Sequence, residues 1–228
     1  MTGVLVNVLA IIIGCTLGLI FKKFIKDSYK ETIMSGIAIT VIIMGIMNVI
    51  ETNELLVVIV SVVLGSLIGE IIDIEGKINR FASSLSIKFQ KEDDDESTFA
   101  EGFVTTTLIY CVGAMAIVGS LESGLTGNHD TLYAKSLLDG VSGIIFASTF
   151  GLGVIFSAGP VFLYQGAIVL GATFIKDLLT PEMITEISAV GGILIIAIAL
   201  NILDLKKIRI GNMLPAIVIP VVYFIIRG

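Results

Sequence analysis

The chain has 228 residues, 55% hydrophobic and only 15% charged, with a formal net charge of −6 and no tryptophan. A soluble domain is roughly 45–50% apolar and about 25% charged, and here the apolar residues fall in blocks of about 20, the length that crosses ~30 Å of hydrocarbon as helix. That excludes a soluble domain of ordinary composition. With no basic patch, nothing points to nucleic acid either, and the composition predicts an all-α polytopic transmembrane bundle embedded in a lipid bilayer.

Taken in chain order, the opening MTGVLVNVLAIIIGC lacks a basic start and a small-residue cleavage site, so it reads as a retained first span over 3–21. Spans follow at 32–50 and 55–74. The connection over 75–102 carries Ile78, Phe81, Leu85 and Phe89 at helical spacing among Lys77, Arg80, Lys88 and Lys91. That pattern predicts a helix lying among lipid headgroups. The acidic run Glu92–Glu96 then reads as a solvated spacer, or alternatively as a docking site for a basic partner. Further spans are read at 103–121, 133–156, 159–175, 183–203 and 210–226. The break between the fifth and sixth is placed at Ser157-Ala158-Gly159-Pro160, because Gly permits a turn and Pro cannot continue a helix. The eighth is short and holds Pro215 and Pro220, so seven spans plus a re-entrant segment is the alternative count.

Cytoplasmic loops collect Lys and Arg. With eight crossings and an external N-terminus, one side holds eleven of the 14 basic residues (Lys22, Lys23, Lys26, Lys30, Lys77, Arg80, Lys88, Lys91, Lys206, Lys207 and Arg209). Lys135, Lys176 and Arg227 fall on the other. Both termini are therefore expected outside the cell.

The second and third spans resemble the fifth and sixth. Tyr29 to Gly36 (YKETIMSG) aligns with Tyr133 to Gly140 (YAKSLLDG), and Leu64-Gly65 with Leu170-Gly171 after a two-residue gap. Three helices is an odd number, so a second set must be inverted, the construction seen in many secondary transporters. This divides the chain into a first three-helix repeat (1–74), the connector (75–102), a second, inverted repeat (103–177) and C-terminal helices (178–228).

Polar residues inside the spans are the functional candidates, since a carboxylate at depth is costly, about 3 kcal/mol or more. Asp139 lies about six residues into the fifth span, roughly 9 Å down. Ser142, Gly143, Thr149 and Gly153 fall on its side of the helix by 100° steps, a small, hydroxyl-bearing face that suits a polar pathway or close helix packing. Gln165 in the sixth span needs partners for its amide, from a solute or from another helix. Secondary candidates are Glu70, near the cytoplasmic end of the third span and able to reach the interface; Asn48, which like Asn7 and Asn201 suits interhelical hydrogen bonding; and Glu122, in the external loop with His129 and Asp130. Cys15 and Cys111 sit inside apolar blocks as packing residues. No metal site is expected from a single histidine and no CxxC. No cofactor is implied, and without GxSxG, HExxH or a Walker loop the chain does not read as an enzyme.

Four segments together carry a resemblance: VNVLAIIIGCTLG, GLTGNHDTLYAKSLLDG, LYQGAI and LNILDLKKIRIGNMLPA. In this order they resemble the YdfK/YqgA-like bacterial membrane proteins over essentially the whole chain. The resemblance implies a multi-pass protein of the bacterial plasma membrane and supplies no substrate and no functional residues. The sequence thus leaves two expectations: a small transporter or channel for an ion or small polar solute with Asp139 on the pathway, or a non-transporting scaffold or sensor whose cytoplasmic loop binds a partner. Glycine-rich faces are compatible with a homo-oligomer.

Overall fold

A computed structural model describes residues 1–22, 27–80, 96–112, 114–176 and 179–227. Its regular elements are helices. In chain order they are α1 (Thr2–Lys22), α2 (Asp27–Val49), α3 (Leu55–Ile72), α4 (Glu96–Cys111), α5 (Ala114–Leu125), α6 (Asp130–Phe150), α7 (Gly153–Phe156), α8 (Ala158–Ile175), α9 (Pro181–Ile202), α10 (Ile210–Met213), a 3₁₀ segment over Leu214–Val218 and α11 (Ile219–Arg227). Residues 74–80 are also helical.

Five stretches are long and apolar enough to cross a membrane: Thr2–Lys22, Leu55–Ile72, Gly153–Phe174, Pro181–Ile202 and Ile210–Arg227. A sixth arises if Thr98–Cys111 and Met115–Leu125, bent by 57°, count as one broken span. The protein is therefore an α-helical membrane protein. One of the eight segments read from the sequence is of a different character: α6 is 21 residues long but carries Asp130, Lys135 and Asp139. In α2 the apolar stretch among the described residues is Ser35–Val49.

A helix boundary does fall at Ser157, between α7 and α8, but a sharper break lies earlier. Gly151, with φ 79° and ψ −148°, ends α6 in a conformation open to glycine and closed to residues with a side chain. Beyond it α7 and α8 form one apolar stretch. Pro160 sits in the first turn of α8, where a missing N–H removes no intrahelical bond. Of the 75–102 connector, residues 81–95 are outside the described residues, with Phe81, Leu85, Phe89 and most of the acidic run. Residues 96–102 belong to α4.

The chain forms two compact units that interleave in sequence: Met1–Lys30 with Asn79–Lys176, and Glu31–Ile78 with Asp177–Gly228. In the first, α1 and α6 run parallel with their backbones in contact. A Cβ on Gly14 would lie 2.0 Å from the Gly140 carbonyl oxygen, and one on Gly18 2.3 Å from that of Ile144. Helices in lipid gain little from apolar burial, so such close approach between small residues supplies the packing. The α4–α5 segment runs antiparallel to α6, Gly102 beside Phe150 and Gly119 beside Thr131. Gly153 of α7 packs on the Phe99 backbone of α4, and α8 returns past Gly124 of α5, which meets Val169 and Ala172.

In the second unit α3 lies antiparallel to the last segment. Its buried residues Ser61, Gly65 and Gly69 recur every four positions; a Cβ on Gly65 would fall 2.2 Å from the Ala216 nitrogen, and one on Gly69 1.9 Å from the Asn212 carbonyl oxygen. Pro215 and Pro220 remove two N–H donors from that segment, and the chain between α10 and α11 tightens into 3₁₀ geometry. α2 lies antiparallel to α9 through Gly45 and Gly192. α9 starts sharply, with Pro181 in its first turn and the Thr180 hydroxyl accepting the Met183 N–H at 3.2 Å.

Candidate functional site

A polar cluster lies inside the otherwise largely apolar first unit, and four helices contribute to it. From α6 come Lys135 and Asp139, one helical turn apart and both buried. The Lys135 ammonium donates to both Asp139 oxygens, at 2.9 and 2.7 Å, and sits 5.9 Å from the centre of the Tyr110 ring of α4. Ser142 Oγ lies 3.3 Å from Tyr110 Oη and 3.1 Å from the Asp139 carbonyl oxygen. Asn7 of α1 donates to Gln165 Oε1 of α8 at 3.2 Å. Asn7 and Gln165 are fully buried, and Asn7 Oδ1 and Gln165 Nε2 have no partner. Glycine makes room for the cluster. A Cβ on Gly143 would come within 3.2 Å of Cys15 Sγ and 3.4 Å of Tyr110 Oη.

Asp139, Ser142, Gly143 and Gln165 are thus brought together, with Asn7. Thr149 stands apart, its hydroxyl donating to the Ile145 carbonyl on its own helix. Gly153 leaves the face assigned to it, because the chain breaks at Gly151 and carries it onto α7. Lys135 is the largest correction. Counted above as an external flanking charge, it is 6% exposed and is the partner of Asp139. Its spacing from Asp139 is the (i, i+4) separation of ion pairs on a helix face, a signal present in the sequence. Tyr110 carried no such signal.

The secondary candidates lie elsewhere. Glu122 accepts from the Thr131 hydroxyl at 2.7 Å, tying the end of α5 to the start of α6. His129 is half-buried with Nδ1 unpartnered, its ring edge-on to Tyr133, rather than solvated. Asn48 packs across from Gly192, whose Cβ would approach it to 2.9 Å. Asn201 bonds the Ile208 backbone at both ends of its amide, closing the loop after α9 instead of bridging helices.

Glu70 belongs to an ionic clamp at one end of the second unit. Arg209 binds both Glu70 and Asp73, the Asn212 amide donates to Glu70 at 2.5 Å, and Glu75 accepts the Gly211 N–H at 2.7 Å. Burial pushes the Glu75 carboxyl above its usual range, against the lowering effect of that N–H and of Arg209. At the other end Glu186, 1% exposed, accepts the backbone N–H groups of Asn53 and Glu54 at 2.9 and 3.1 Å and the Thr52 hydroxyl at 2.5 Å. It supplies to the start of α3 a cap that Glu54 does not make. Glu54 instead binds Tyr223 and Arg227. Among the described residues no three His, Cys, Asp or Glu side chains group to hold a metal ion.

Residues 2–225 match the family described as "Protein of unknown function (DUF554)". The chain belongs to that family. It is 37% identical over 233 residues to "Uncharacterized membrane protein YdfK" of Bacillus subtilis (strain 168), covering 100% of this chain and 98% of that one. It is 29% identical over 219 residues to "Uncharacterized protein YqgA" of Escherichia coli (strain K12), covering 95% and 93%. The resemblance read from the four segments therefore holds along the whole chain. No solved structure matches.

Proposed function

We propose that the protein is a small transporter or channel for an ion or small polar solute, with the polar cluster inside the first unit on its pathway. One observation carries this reading: a buried Lys135–Asp139 pair set among Asn7, Tyr110, Ser142 and Gln165 from four helices. Ionisable side chains at membrane depth are expensive and mark pathways and proton relays. Packing alone does not call for them, since apolar residues of similar volume in place of a buried ion pair are often neutral or stabilising. Buried amide atoms left open are where a solute or a bound water completes the hydrogen bonding.

The proposed topology is eight crossings of the bacterial plasma membrane with both termini external. The helix directions within each unit support it. α1 runs parallel to α6 and antiparallel to α8, as the first, fifth and sixth crossings must, and α3 runs antiparallel to the last segment, as the third and eighth must. With Lys135 removed from the external loops, eleven basic residues face two. The inverted repeat of three helices remains part of the proposal, supported by the two aligned segments.

A second reading has its own observation. Both Asp139 oxygens are taken by Lys135, which suits a fixed strut in a scaffold or sensor that contacts a partner through the 75–102 connection. Flux decides between them. The purified protein in liposomes is screened with common cations, anions, organic acids and amino acids. A flux lost in Asp139→Asn supports transport. No flux across the panel, with correctly folded protein in the bilayer, overturns it.

A further inference from the structure

The Lys135–Asp139 pair restricts what can enter the cluster. A bare cation drawn to Asp139 would take the carboxylate from Lys135 and strand an ammonium in a buried interior. A bare anion drawn to Lys135 would strand the carboxylate. A buried charge without its partner is the least favourable arrangement of such a pair. One ligand class re-pairs both groups with no proton moved: a molecule bearing both charges. Resting on the reading of this cluster as a solute site, we propose that it binds a small zwitterion with an amine and a carboxylate, of the α-amino acid type. Asp139 and Asn7 Oδ1 receive the ammonium end, and Lys135 and Gln165 Nε2 receive the carboxylate.

The two amides support the same complement independently of the charges. Asn7 and Gln165 share one hydrogen bond, and what remains open in these fully buried side chains is one acceptor, Asn7 Oδ1, and one donor, Gln165 Nε2. Turning both amides over exchanges the roles and still leaves one donor and one acceptor. A metal cation satisfies only the acceptor and a halide only the donor. A zwitterion satisfies both. The mobile partner is Lys135, whose four-carbon stem lets the ammonium swing while the short Asp139 side chain stays in place. The Tyr110 ring beside Nζ offers an aromatic face to a cation. Before and after binding, the charges named here sum to zero.

The test is binding by the purified full chain in detergent, read by melting, since a ligand that binds the folded state raises its midpoint. Glycine, L-alanine and glycine betaine are compared at equal millimolar concentration with methylamine hydrochloride, sodium acetate, the two half-ligands together, and sodium chloride. Glycine and alanine are expected to raise the midpoint and the half-ligands and salt to leave it unchanged. Betaine, whose methylated nitrogen donates no hydrogen bond, should give a smaller shift. Labelled-glycine binding should weaken about tenfold or more in Asn7→Leu/Gln165→Met, which removes hydrogen bonds worth ~1.4 kcal/mol or more and spares the ion pair. Equal shifts from acetate or methylamine alone, no binding by any zwitterion in the panel, or binding indifferent to the double variant each overturn the proposal. Inorganic-ion flux without zwitterion binding would overturn it too, while leaving the transport reading in place. Zwitterion binding without flux would uphold it and remove the transport reading.

Discussion

Replacing Asp139 with Asn probes the centre of the cluster. The Lys135 and Asp139 side chains are each 8% exposed, so Asp139→Asn leaves a buried ammonium without its carboxylate. Breaking a buried pair costs about 3–5 kcal/mol, and the remaining amide oxygen recovers one hydrogen bond, about 1 kcal/mol. The net loss is ~2–4 kcal/mol, which for a chain of this length lowers the melting midpoint by about 10 °C. A thiol-reactive dye reports the transition in detergent because Cys15 is buried until the protein unfolds. The sharper form is a double-mutant cycle. Lys135→Met and Asp139→Leu should each destabilise, whereas the double variant, with neither charge, should melt near the parent and give a coupling of at least ~2 kcal/mol. An Asp139→Asn protein that melts like the parent, or single variants whose effects simply add, would refute the pairing and with it the account of the first unit's interior.

Glu186→Gln should lower stability by about 2 kcal/mol in the same melting assay, because charge-assisted bonds to the Asn53 and Glu54 N–H groups become neutral ones. Gly14→Ala should impair folding by forcing its methyl into the Gly140 carbonyl, whereas Gly159→Ala, with nothing within 4 Å, should be tolerated; yield of monodisperse protein reads both. The raised Glu75 pKa means its ionised form is disfavoured in the fold. Its contribution is complete below the ordinary value of 4.5 and is lost as pH rises through the higher folded value. Glu75→Gln should therefore flatten the melting profile over that window and raise the midpoint slightly at pH 7. Single cysteines at Lys77 and Lys207 should label from the cytoplasmic side and those at Asn53, Asn128 and Thr180 from outside; labelling of Asn53 and Lys77 from one side would sink the eight-crossing topology.

Helix existence was legible because lipid imposes it: an apolar run of about 20 residues has no other way to satisfy its backbone. Helix ends and breaks were less so. Gly-Pro at 159–160 is the stronger breaker by composition, yet the boundary beside it at Ser157 keeps right-handed helical geometry, and the sharper break is at Gly151, whose positive φ is invisible in a chain containing 24 glycines. The close contacts had a sequence trace in the four-residue spacings Gly14–Gly18 and Ser61–Gly65–Gly69, although spacing cannot say which partner helix a small face meets. The same limit applies to the cluster. Asp139 stands out by cost alone, and the Lys135 spacing was readable within the span over 133–156. Counting Lys135 among the charges of the external side treated a charge near a helix end as a solvated one; a flexible side chain goes wherever its partner makes burial tolerable. Asn7, Tyr110 and Gln165 join the cluster through contacts that span up to 158 residues of chain, and no local pattern encodes those. A polar residue in a span therefore announces that a partner exists, and only the packing of the helices names it.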